Sequence, residues 1–214
     1  MLRARLHVYT VYVETKERIL EEALAELERN GVHNFSLRAV GAAVGITPMA
    51  IYRHYRDKDA LLQAVGEEAF AQWQRRIAAI RSSDPQHWFR RSARAYVEFA
   101  LDEPARFDAC FVLSTHAERV YPQGFRAGQS PVVTLAMERI VTAQAARQLQ
   151  QGDALEIALY VWAQIHGLAM LHRSGRFALP RSEFLALCDR CIDRILGSLA
   201  PQKPTRRKPT RKST

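Results

Sequence analysis

Apolar residues recur three and four positions apart along most of the chain, and strand-like runs are few, so the pattern predicts an all-α protein of about nine helices. The first is expected from a Thr15 cap to Asn30. Ile19, Leu20, Ala23, Leu24 and Leu27 form its buried stripe, Glu17, Glu21, Glu22, Glu26 and Glu28 face water, and Gly31 follows its C-cap. Leu37, Val40 and Val44 mark a short second helix; Ile51 and Tyr55 mark the inward side of a third, Pro48 to about Tyr55. A fourth runs from Asp57 to about Arg81. Its early residues Leu61, Leu62 and Val65 complete a small core with the first three, and Phe70, Trp73 and Ile77 pass into a second unit.

Further helices are expected over 85–102, from Pro104, and over 131–151, 154–173 and 181–199. Their breaks are Ser82-Ser83-Asp84-Pro85, Pro104, a loop over 121–131, Gly152-Asp153, and Gly175 with Pro180. The eighth, 154–173, is apolar nearly all round. Glu156, Gln164 and His166 interrupt it, leaving a run well short of the ~18 residues of a bilayer span. Burial on two sides, by its own domain and by a partner subunit, is the expectation, and no membrane association is. Residues 1–14 stand apart as an arm. Leu6 to Val13 is rich in β-formers, and Arg3 and Arg5 precede it. The arm is disordered, extends the first helix or reflects a misassigned start, and its arginines are placed to reach a minor groove. It lacks a small-residue cleavage site, so export is not expected.

Residues 36–58 organise the rest. Gly45 falls where the chain must turn and a residue without Cβ takes positive φ cheaply. Thr47 offers an N-cap oxygen and Pro48 sits at the first helical position, where a missing N–H costs nothing. Gly41, Ala42, Ala43 and Ala50 leave room for close helix approach, and Thr47, Met49, Tyr52, Arg53 and His54 are left on an outward face, with Lys58 just beyond. This is a helix-turn-helix, whose second helix can enter a DNA major groove.

On these residues the chain resembles the TetR family of bacterial transcriptional regulators. The matching text is Ile19-Leu20-Glu21-Glu22-Ala23, Gly31, Phe35 to Val40, Val44-Gly45-Ile46-Thr47, Ile51-Tyr52-Arg53-His54-Tyr55 and Asp57 to Leu62. A weaker likeness, Trp162-Ala163-Gln164-Ile165-His166-Gly167, is similar to the Trp/His-Gly signature of one C-terminal subgroup. The resemblance implies a three-helix helix-turn-helix domain (15–65) followed by a helical ligand-binding and dimerisation domain (66–200). It further implies a cytoplasmic homodimer that holds a double-stranded operator, as a repressor would, and releases it on binding a small molecule. The dimer interface is expected on the eighth and ninth helices.

The same resemblance carries DNA contacts onto Ser36, Arg38, Thr47, Pro48, Met49, Ala50, Tyr52, Arg53, His54 and Lys58. Arg38, Tyr52, His54 and Lys58 are expected mainly on phosphates; Met49, Ala50 and Arg53 are better placed to read base edges. For the small molecule, Trp88, Phe89, Tyr96, Phe99, Phe107, Phe111, Met137, Trp162, His166 and Met170 can line an apolar pocket with few polar anchors. A plain core would use the same residues, and His166 would then bond a backbone carbonyl. The composition favours an apolar, aromatic or acyl-chain effector over a highly charged one.

Charge alters this picture little. The formal net charge is +9, but Lys203, Arg206, Arg207, Lys208, Arg211 and Lys212 lie in the last fourteen residues, leaving +3 elsewhere. The tail, 201–214, is expected to be disordered. It motivates one alternative, a non-specific architectural DNA binder. An enzyme is the other, but no Gly-x-Ser-x-Gly elbow, His-Glu-x-x-His or P-loop is present. Three cysteines argue against a disulfide framework and fit a reducing compartment. Cys188 and Cys191 lack a second ligand pair at zinc spacing, so neither metal nor cofactor is expected.

Overall fold

The structure, a computed structural model, describes residues 2–112 and 119–201, with only the course of the helix described over 2–11. Among them are ten helices and no strand: α1 (Leu2–Asn30), α2 (Leu37–Val44), α3 (Pro48–Ile51), α4 (Lys58–Ala78), α5 (Pro85–Asp102), α6 (Pro104–Phe111), α7 (Gln123–Arg126), α8 (Pro131–Ala145), α9 (Ala154–Arg173) and α10 (Arg181–Ser198).

In the N-terminal part α1 packs on α2 and α4, and α2 on α3. Ile19, Ala23, Leu27, Val40, Ile51, Leu61 and Val65 are almost wholly buried there. The turn between α2 and α3 is built as its chemistry requires. Gly45 adopts φ +80°, so that its N–H bonds back to Ala42 O and the N–H of Ile46 reaches Gly41 O at 2.8 Å. A Cβ on Gly41 would lie 2.8 Å from the Ile46 carbonyl oxygen and 3.3 Å from Pro48 N, so this glycine is set by close approach rather than by φ.

α4 leaves this unit and continues against α6 and α8, while α5 packs on α9 and α10 and α8 on α9. Arginine–aspartate pairs lace α5 to α10: Arg90–Asp193, Arg94–Asp189 and Arg181–Asp102, each at 2.6 Å. All are largely solvated and worth about 0–1 kcal/mol apiece. The adhesion comes instead from buried apolar side chains such as Phe89 and Val97 of α5 and Leu185 and Ile192 of α10. α9 is long and apolar enough to cross a membrane by length and composition; here it packs against α5, α8 and α10.

Several expectations need correction. Thr15 does not cap α1, which begins at Leu2 and runs unbroken through it. β-branched residues forgo only a few tenths of a kcal/mol each in a helix, too little to stop one already propagating. Glu26 does not face water: it is 2% exposed, with Arg29 reaching it at 3.4 Å. α3 is regular only to Ile51, and hydrogen-bonded turns carry the chain to Tyr55, whose N–H still bonds to Ile51 O. The loop over 121–131 contains the single turn α7. α8 ends at Ala145 rather than near 151, because the buried Gln144 amide donates to the carbonyls of Gln150 and Gly152 and closes a corner. The side chains of Arg3 and Arg5 and, from residue 202, the basic tail lie outside the described residues.

Candidate functional site

Ser36 and Thr47 both serve as caps. Ser36 Oγ accepts from Ala39 N at 3.3 Å and Thr47 Oγ1 from Ala50 N at 3.2 Å. Each hydroxyl keeps its own proton to donate outward. Beyond the caps, Arg38, Thr47, Pro48, Met49, Tyr52 and Arg53 are exposed, Met49 at 74%, and Ala50 is half-buried. A methionine so bare and a tyrosine beside two arginines make a face that gains from meeting another surface.

His54 and Lys58 stand differently from expectation. The His54 ring stacks on Tyr12 of α1 with centroids 4.3 Å apart, and its Nδ1 is buried without a partner. Burial, then the charges of Lys16 and Arg53, hold its pKa below the usual histidine value, so the ring is poorly suited to carry a charge to a phosphate. Lys58 Nζ donates to the Phe35 carbonyl at 3.1 Å and lies over the Phe35 ring. It anchors the start of α4, with donors left for an anion. The pattern missed Tyr12, whose hydroxyl donates to Arg53 O at 3.2 Å, because the arm was separated from helix one.

The second feature is a cavity of about 720 Å³ between α4, α5, α6, α8 and α9. Trp88, Phe89, Tyr96, Phe111, Trp162 and His166 line it as expected. Phe99, Phe107, Met137 and Met170 do not. Phe99 is packed flat on Trp73 and Phe107 is fully buried and stacked on His166, so both belong to the layer behind the wall. Met137 and Met170 are part-buried against the general core. Reasoning from sequence missed Phe70, Trp73 and Ile77 of α4, which continue the apolar stripe past the first unit, and also Cys110, Arg119 and Phe125. No periodicity marks Arg119.

A polar relay crosses the apolar wall. Trp162 Nε1 donates to Tyr96 Oη at 3.1 Å, and Tyr96 Oη lies 2.8 Å from His166 Nδ1. When the imidazole proton is on Nε2, Tyr96 donates to Nδ1; when it is on Nδ1, the Tyr96 oxygen accepts from both rings. Burial lowers the His166 pKa and raises that of Tyr96, so both are neutral at pH 7. Burial also pushes the Cys110 thiol up to about 12, which makes it an inert wall residue. Among the described residues no cluster of His, Cys, Asp or Glu is arranged to hold a metal ion.

Comparison with known proteins bears on both features. The family model "Bacterial regulatory proteins, tetR family" matches residues 19–65, and "Tetracyclin repressor-like, C-terminal domain" matches residues 89–195. The HTH-type transcriptional regulator UidR of Escherichia coli is 34% identical over 74 residues, 33% of this chain and 38% of that protein. An HTH-type transcriptional repressor of Mycobacterium tuberculosis is 24% identical over 160 residues, 75% of this chain and 58% of that one. The chain therefore matches less than two thirds of the length of each of these curated relatives. A structure of a protein of unknown function from Rhodococcus sp. RHA1 superposes with a TM-score of 0.72 at 29% identity, covering 87% of this chain and 95% of that one.

Proposed function

Since the chain belongs to the TetR family of bacterial transcriptional regulators, DNA-binding helix-turn-helix proteins rather than enzymes, we propose that it is a ligand-responsive repressor released from a palindromic operator by a small apolar effector. One observation carries the reading: α4 supplies both buried residues of the N-terminal core, Leu61 and Val65, where it packs on α1, and the cavity wall, through Phe70, Trp73 and Ile77. A ligand that prefers one placement of α4 acts on the reading face through the same helix, and only such differential affinity shifts the equilibrium.

The division falls near residue 65, with the DNA reader before it and the effector and dimerisation unit after it. The protein works in the cytoplasm as a homodimer through α9 and α10. On α9, Tyr160 and Leu171 are exposed at 44% and 48%, apolar surface that a second copy would cover. Packing of α9 against α5, α8 and α10 supports a pairing role over a membrane role.

The test is binding to a labelled operator with and without candidate effectors. A full-length protein that releases operator in proportion to cavity occupancy supports the proposal; binding indifferent to every cavity ligand refutes it. The basic tail favours a second reading, non-specific DNA attraction. Deleting residues 201–214 separates the two: selectivity for operator over random duplex survives if Thr47–Arg53 does the reading and disappears if the tail does.

A further inference from the structure

We propose that the cavity's ligand is an apolar acid carrying one negative charge, whose carboxylate is captured by Arg119 in exchange for Glu67 of α4. The inference rests on reading the cavity as the effector site and names the ligand's chemistry and its point of purchase on α4.

Among the described residues of the wall, Arg119 is the cation, and the others are aromatic, aliphatic or neutral polar. Among the described residues, α4 and the loop before α8 both hold its guanidinium. It lies 4.0 Å over the ring of Phe70, itself a wall residue, Nε donates to Gln129 O at 3.1 Å, and one terminal nitrogen meets Glu67 Oε2 at 2.6 Å. The two ends of that pair are unequally placed: the Arg119 side chain is 17% exposed, whereas that of Glu67 is 48% exposed. The Phe70 ring and the Gln129 carbonyl keep the guanidinium at the wall whichever anion it holds. Glu67 can return to water with little loss of hydration. A ligand carboxylate entering from the cavity takes the place of the Glu67 carboxylate on that terminal nitrogen, a charge-assisted contact in a low-dielectric setting.

The apolar remainder of the wall sets the rest of the specificity. Trp73, Trp88, Phe111 and Trp162 suit a ring or chain, and among the described wall residues a second negative charge would meet no second cation. Because Glu67 and Phe70 both sit on α4, the exchange loosens that helix from the Arg119 segment, which supplies the differential contact that release of DNA requires.

All three tryptophans of the chain, Trp73, Trp88 and Trp162, line the cavity, so intrinsic fluorescence of the full-length protein reads its occupancy. Benzoic, 2-naphthoic and decanoic acids are each titrated against their own primary amides, which match them in shape and lack the charge. The expected result is that at least one acid binds about tenfold more tightly than its amide. That preference vanishes in Arg119→Gln, persists in part in Arg119→Lys, and increases in Glu67→Gln, where the competing carboxylate is gone. The Glu67→Gln and Arg119→Lys variants keep the test decisive should Arg119→Gln fail to fold. Acids that bind no better than amides across the series, or a preference that outlives Arg119→Gln, overturn the inference. Amides that bind and release DNA as well as the acids leave the effector site standing while removing its charge selectivity. Absence of any binding removes both.

Discussion

The ring of Tyr12 stacks on that of His54, and the Tyr12 hydroxyl donates to the carbonyl of Arg53, one residue before it. Residues 41 positions apart are thereby joined, and α1 fixes the end of the segment that presents Arg53. Tyr12→Ala is expected to weaken operator binding about three- to tenfold. Tyr12→Phe, which keeps the stack, costs only ~0.5–1 kcal/mol because the lost hydrogen bond is exposed. Fluorescence anisotropy on operator and random duplexes measures both; equal, undiminished binding by Tyr12→Ala would dismiss the brace.

Arg53 and Lys58 should separate base reading from backbone holding. Arg53→Ala is expected to cost about 1–3 kcal/mol on operator and little on random DNA. Lys58→Ala lowers binding to all duplexes alike. It also lowers stability by about 1 kcal/mol, since its ammonium ties the start of α4 to the Phe35 carbonyl. Parallel titrations with a denaturation curve distinguish the pair.

Gly41→Ala places a methyl 2.8 Å from a backbone oxygen that cannot swing aside. A destabilisation of about 1–3 kcal/mol is expected, together with loss of operator binding as the α2–α3 turn opens. Thermal unfolding and binding on the same preparation check this. An unchanged melting temperature would show that the turn adapts.

The helix-turn-helix was legible because its signals are local. Gly45, Thr47 and Pro48 each solve a problem within four residues of themselves, and all three do so in the structure as the sequence implied, while Ser36, expected only as a DNA contact, also caps α2. The cavity was legible only in part. Trp88, Tyr96 and Trp162 lie on its wall and Phe99 and Phe107 behind it, yet all five share helical spacing and aromatic character. Which layer a ring occupies depends on the crossing of α4, α5 and α6, which no single helix encodes. Arg119 was invisible for the same reason, as Glu67 and Phe70, which it meets on α4, are distant in sequence. Of the three readings of residues 1–14, extension of the first helix is the one the structure shows; the Thr15 cap was misplaced because side-chain propensity over 6–13 was weighed above helix propagation.

Stability should fall on mild acidification. Burial holds the pKa of His166 below the ordinary 6.5, so as pH drops through that value the unfolded chain takes up a proton that the native state refuses. His54, lowered by burial and by Lys16 and Arg53, acts in the same direction. The loss is absent above the unfolded value and grows from there down to the folded one. Chemical denaturation at about pH 7.5 and about pH 5.5 should show it, with a smaller difference in His166→Gln. A pH-independent midpoint would contradict the neutral imidazole in the Trp162–Tyr96–His166 relay.

The most direct measurement is selection of bound duplexes from a random DNA pool by the purified full-length protein. The account predicts enrichment of a near-palindrome whose half-sites lie about one helical turn apart, ~34–36 Å, with preference lost in Arg53→Ala. A pool that stays random after repeated rounds, or an enriched site to which Arg53→Ala binds as selectively as the parent protein, would contradict it.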